Sequence, residues 1–245
     1  MTLHKSGNLG ELNHNHLTTF GRKVMKRHLK IIGPLETIIS KIKLFILSGI
    51  VAFNYNCEDA STADNNSSNL LFIASEGNFG QNNGSISVFN EDEKIQELLN
   101  VGDVLQSILV HDNHLYAIVN GNSEIKRYAI SETGLTLPGI TISTNNSSPR
   151  EMGVLNNKLY FSNWNSRDIK VLNLNTFAIE QSIPLNGLPE DITTDGTNLY
   201  ASVPHLELYD QGNGTTVVKI DPLTNQIIKT YEVGKGPQHL IIHND

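Results

Sequence analysis

Residues 157–163 read NKLYFSN, and closely related text stands at NLLFIAS from Asn69, NHLYAIV from Asn113 and TNLYASV from Thr197. Each copy has a turn-forming residue, a leucine and then, in most copies, an aromatic. The shared leucines, Leu71, Leu115, Leu159 and Leu199, are separated by 44, 44 and 40 residues. A second run follows each copy: GSISVFN, SEIKRYAI, RDIKVLNL and TTVVKIDP. A third is clearest in FAIEQSIPL and QIIKTYEV, where apolar and polar residues alternate as in a strand with one face covered. A fourth opens after a turn: GDVLQSILV, SSPREMGVL, GLPEDITTD and KGPQHLIIH.

Four short strands in a unit of this length predict a β-propeller blade. The expected fold is therefore all-β, a β-propeller of four-stranded antiparallel blades with about four blades encoded. Gly, Asn, Asp and Pro punctuate the units, as in DGTN, DPLTN and GKGP, and no helical periodicity is sustained. A sandwich of hairpins is the competing architecture, but it does not call for four elements in a fixed internal order. The repeat begins on the second strand of a blade and ends on the first strand, PQHLIIHND. Two readings follow. Either the last strand completes the first blade and closes a four-bladed ring, which would hide both sheet edges, or the chain is a fragment of a larger, seven-bladed ring.

Bulk composition narrows the function. The chain has 245 residues, 38% apolar and 18% charged, with a net charge of −7. That balance argues against nucleic acid, which demands a clustered basic face. The basic residues that do cluster lie near the start, in MKRHLK (Met25 to Lys30) and at Lys41 and Lys43, ahead of the apolar run LFILSGIVAF. This is the layout of a targeting segment, too short to span a bilayer comfortably. The single cysteine, Cys57, follows it and precedes the polar tether EDASTADNNSSN. One cysteine permits no intramolecular disulfide. The expected organisation is an N-terminal extension and signal peptide over 1–56, a tether over 57–68 and the propeller over 69–245. Residues 1–24 would be an extension upstream of a start at Met25.

Cys57 resembles the lipidated cysteine of bacterial lipoproteins, although Asn54 and Asn56 stand where those signals carry an aliphatic and a small residue. An ordinary signal peptide or a short membrane-associated helix is the other reading. The texts SPRE, LNNKLYFSNWNSRDIKVLNLNT, GLPEDITTDGTNLYASV, TVVKIDPLTNQIIKTYEVGKGP and EGNFGQNNGSISVFN resemble YncE-like propeller proteins. More narrowly they resemble surface lipoproteins of Bacteroidetes, over about residues 69–245. The resemblance implies an outer-membrane lipoprotein facing the periplasm or the surface. Some members of that group capture corrinoids (cobalamin and its precursors) and hand them to a TonB-dependent transporter. Relatives usually carry seven blades.

In a propeller, the turns before the inner strands and the loops joining the second and third strands share one face around the axis, the default ligand site. The first set aligns Gln106, Arg150, Glu190 and Gln238. The second offers Asn78, Phe79, Asn120, Asn163, Trp164 and His205. Amides supply donors and acceptors and aromatics supply area, so this rim suits a large polar ligand. Two blander readings compete: Arg150 and Glu190 as an exposed ion pair between blades, and Trp164 as a plug between blades.

Catalytic and metal signals are weak. The pairs His111/His114 and His239/His243 lie in predicted strands without a third ligand. Asp210 and Asn213 begin a calcium-loop pattern but lack its later acidic ligands. No nucleophile-elbow text is present. The expectation is a non-catalytic envelope lipoprotein, without cofactor or metal, that binds a small-molecule ligand on its loop face. The alternatives are a scaffold for a transporter and a propeller enzyme of lactonase or lyase type.

Overall fold

In the computed structural model, which describes residues 69–243, every copy of the repeated text except the last, KGPQHLIIH, holds a strand, and the strands pair as consecutive meanders. The first blade holds β1 (Leu70–Ser75), β2 (Ser85–Asn90) and β3 (Glu93–Leu98). The second holds β4 (Leu105–His111), β5 (His114–Val119), β6 (Glu124–Ser131) and β7 (Gly134–Ser143). The third holds β8 (Pro149–Leu155), β9 (Lys158–Asn163), β10 (Asp168–Asn173) and β11 (Ile179–Pro184). The fourth holds β12 (Ile192–Thr194), β13 (Leu199–Val203), β14 (Thr216–Asp221) and β15 (Gln226–Glu232). Every pairing is antiparallel, as in a β-propeller. The blades belong to one compact unit.

The turn text explains the hairpins. Between β8 and β9 the loop is two residues, Asn156 and Asn157, both in the left-handed region at φ 52° and 57°. That is the conformation a two-residue hairpin needs if its twist is to match the strands, and asparagine tolerates it well.

Packing follows the two-residue period of a strand. On β5, Leu115, Ala117 and Val119 join Ile86 and Val88 of the first blade in one apolar cluster. The alternate residues, Tyr116 and Ile118, join Leu159, Phe161 and Leu172 of the third blade in another. Tyr160 turns the other way and packs with Leu199, Ala201 and Val218 of the fourth. The leucine and tyrosine of the second and third blades' repeats thus face opposite neighbours. Burying each such side chain stabilises the fold by about 1.5–3 kcal/mol. A blade's core exists only where another blade lies against it. The inner strands line up across blades, β4 beside β8 and β8 beside β12, which places the axis there.

The first blade has three strands among the described residues, as a repeat that begins on the second strand of a blade predicts. One reading needs correction: the C-terminal segment does not close a four-bladed ring. Residues 238–243 form no strand and lie along the fourth blade, where Ser202 Oγ donates to the Gln238 carbonyl at 3.4 Å and the Leu240 N–H to Asp191 Oδ2 at 2.6 Å. Among the described residues β1 pairs only with β2. Cys57 and the segments 1–56 and 57–68 lie outside the described residues.

Candidate functional site

Three of the four positions aligned at the inner-strand turns form a ladder across three blades. Arg150 donates from Nε and Nη2 to both carboxylate oxygens of Glu190, at 3.0 and 2.8 Å. Its Nη1 donates to Gln106 Oε1 at 2.7 Å. The pair is not the exposed one that sequence allowed: the side chains are 19% and 10% accessible. A planar guanidinium forked onto a carboxylate is a geometry lysine does not reproduce.

Above this ladder stands Trp164, on the loop between β9 and β10. The Arg150 guanidinium lies 4.2 Å from its ring centroid. His205, from the β13–β14 loop, meets the indole edge-on at 5.5 Å. The indole N–H is buried and donates to no acceptor among the described residues. Trp164 thus fills space between the third and fourth blades, with a donor left unused among the described residues.

The remaining candidates divide. Asn120 Nδ2 donates to the Pro149 carbonyl at 2.8 Å, tying the second blade to the third. Asn120→Ala is expected to cost about 1 kcal/mol in urea unfolding, the net worth of one such bond. Asn163 is fully buried. It accepts from Ser147 Oγ and donates to the Phe161 and Asp168 carbonyls, which commits its amide to holding the loop under Trp164. Asn78 and Phe79 sit on the β1–β2 loop, where Asn78 N–H donates to Asn83 Oδ1 and Phe79 is exposed. Neither makes a contact with the Arg150 ladder that the structure records.

Gln238 stands apart from the ladder. It lines an open groove of about 670 Å³ with His205, Tyr209, Asp210, Asn213 and Lys235. The loop that builds this groove is organised by Asp210. Its carboxylate accepts N–H groups from Leu206, Glu207 and Gly212 and contacts His205 Nδ1 at 2.8 Å. Burial pushes this carboxyl up, but those hydrogen bonds prevail and hold it below the ordinary carboxylate range. The calcium-like text YDQGNG is thus a self-capped loop. Among the described residues no group of three or more His, Cys, Asp or Glu is set to hold a metal. Sequence reading missed Tyr209 and Lys235 as groove residues; Tyr209, 95% accessible, carried only the faint signal of an aromatic inside a polar loop.

Known proteins add the fold and little more. No protein family matches the chain, and no curated protein does. Among solved structures, a chain of the mitotic checkpoint complex is similar at TM-score 0.54 and 8% identity, over 66% of this chain and 49% of that one. Dihydro-heme d1 dehydrogenase NirN, in complex with DHE, is similar at TM-score 0.53 and 14% identity, over 71% and 38%. The β-propeller domain of Cps50 (Swd1) from Myceliophteria thermophila is similar at 0.47 and 10%, over 58% and 48%. This chain therefore spans half or less of the length of the structures it resembles here. The fold class is that of a β-propeller.

Proposed function

We propose that this protein is a non-catalytic, envelope-anchored β-propeller that binds a polar small molecule on its loop face, between Trp164 and the groove of the β13–β14 loop. One observation carries the reading: a buried indole N–H without an acceptor, held in place by Arg150 and His205 beside a polar groove. A buried donor left unpaired is costly, about 1–3 kcal/mol, unless something else supplies the acceptor. Cys57 is the proposed lipid attachment point, and a TonB-dependent transporter the proposed recipient of the ligand. A corrinoid is the sharpest form of the ligand, and it rests on the resemblance to Bacteroidetes lipoproteins alone.

Trp164 is the only tryptophan in the chain, so its fluorescence reports directly on this site. Titration with cobalamin and with cobinamide is expected to quench it saturably at micromolar ligand, with matching heat by calorimetry. Trp164→Ala should weaken binding at least tenfold, with a loss in urea unfolding of about 0.5–2 kcal/mol from the Arg150 contact it removes. Saturable heat that the variant leaves unchanged would displace the site from Trp164. No heat with either compound removes the corrinoid form of the proposal.

A further inference from the structure

Four Asn–Gly pairs lie among the described residues: Asn83–Gly84, Asn120–Gly121, Asn186–Gly187 and Asn213–Gly214. In such a pair the glycine nitrogen can attack the asparagine side chain, because no Cβ on the glycine hinders the approach. Three of the four pairs are shut by hydrogen bonds. The Gly84 N–H donates to the Gly102 carbonyl at 2.9 Å, that of Gly121 to Asp103 at 3.0 Å and that of Gly214 to Pro204 at 2.8 Å. Their asparagines are held as well. Asn83 Oδ1 accepts from the Asn78 N–H, and Asn120 Nδ2 donates to the Pro149 carbonyl. Asn213 donates to the Asp210 carbonyl and accepts from Lys235 Nζ. Asn186 differs. Its side chain is exposed, and among the described residues neither its amide nor the Gly187 N–H takes part in a recorded hydrogen bond.

The fold nevertheless requires the glycine. Gly187 stands at φ 141°, and a Cβ on it would lie 2.5 Å from the His205 carbonyl oxygen and 2.6 Å from Val203 Cγ1. The turn is pinned on both sides, by the Leu185 N–H to the Arg167 carbonyl at 2.9 Å and by the Leu188 N–H to the His205 carbonyl at 2.7 Å. It joins β11 to β12, so it lies at the seam of the third and fourth blades.

We propose that Asn186 is a deamidation site, the one Asn–Gly pair among the described residues that the fold leaves open, and that its isoaspartate product loosens the seam beside Trp164. The Gly187 nitrogen attacks Asn186 Cγ and closes a succinimide ring. The Cγ–Nδ2 bond breaks, and Nδ2 leaves with the bonding pair, taking up the Gly187 proton as ammonia. Water then opens the ring at either carbonyl. Attack at Cγ gives aspartate, and attack at the main-chain carbonyl gives isoaspartate. Both products add a carboxylate. Isoaspartate also routes the main chain through Cβ and Cγ, which inserts a methylene between the two pins. The Leu188 pin bears on His205, whose ring meets the Trp164 indole edge-on at 5.5 Å. The modification does not depend on a ligand being bound there.

The test ages the full folded chain in mildly alkaline buffer and follows it by peptide mapping with tandem mass spectrometry. A gain of about 1 Da, amide to carboxyl, is expected at Asn186 at least tenfold faster than at Asn83, Asn120 or Asn213. In urea, where no fold protects any pair, the four rates should converge. Isoaspartyl methyltransferase should label the aged parent and leave position 186 unlabelled in aged Asn186→Gln, whose longer side chain closes a ring far more slowly. Emission from Trp164, the only tryptophan, should shift as the parent ages and stay fixed in Asn186→Gln. Equal rates at the four sites of the folded chain, or a first gain at another of them, overturn the proposal. So does an isoaspartate-bearing chain whose tryptophan emission matches that of fresh protein.

Discussion

Replacing Arg150 with methionine is expected to destabilise the protein by about 3–5 kcal/mol, read as a lowered midpoint in urea unfolding. The reason is what stays behind. Glu190 is 7% accessible, and both its carboxylate oxygens face the guanidinium. Without Arg150 that charge stays buried with no partner, the Gln106 oxygen loses its donor and Trp164 loses a cation over its face. The last contact alone contributes about 0.5–2 kcal/mol. Desolvating an ion pair nearly cancels its attraction, so the double variant Arg150→Met/Glu190→Leu should recover most of the loss. The cycle therefore separates two accounts. If the double variant is as unstable as the single one, the ladder is held by packing around methylene groups and not by charge. If Arg150→Met alone is neutral, the buried-pair account fails altogether.

The ladder also shows what the sequence made legible. The alignment of turn residues put Gln106, Arg150 and Glu190 at equivalent places, and equivalent places on consecutive inner strands are neighbours around an axis. Trp164 and His205 were legible for the same reason, since the loops between second and third strands share a face. Asn163 looked like a rim residue because a repeat gives only its position along the strand. Whether its amide faces solvent depends on Ser147, sixteen residues upstream, which a strand pattern does not report. The groove by Tyr209 was illegible for a related reason. Its shape comes from one loop folding around Asp210, which repeats nowhere else in the chain. The C-terminal text PQHLIIHND reads as an inner strand, yet residues 238–243 form no strand, because alternation in the text does not supply a neighbouring strand to pair with.

Just beyond the ladder, Glu151 predicts a pH dependence that a single substitution should abolish. Burial pushes its carboxyl up from the ordinary 4.5 to about 7, and the Asp191 and Glu190 carboxylates push the same way. A hydrogen bond from Ser107 and the charge of Arg150 oppose them without prevailing. Between pH 4.5 and about 7 the folded protein holds a proton on Glu151 that the unfolded chain has already released. This contribution to stability is therefore whole below pH 4.5, falls as pH rises through that window and is gone above about 7. A shift of this size corresponds to about 3–4 kcal/mol, which solvent screening of a half-buried carboxyl lowers to about 2–3 kcal/mol. Glu151→Gln keeps the shape of the side chain and removes the titration. Relative to the parent, the variant should gain about 2–3 kcal/mol on going from pH 4.5 to pH 8 in urea unfolding. The difference between the two proteins is the informative quantity, because carboxyls held below the ordinary range, such as Asp195 and Asp210, tilt both profiles the opposite way. Parallel profiles for parent and variant would mean that Glu151 ionises at its ordinary value, with water reaching the axis between β8 and β12.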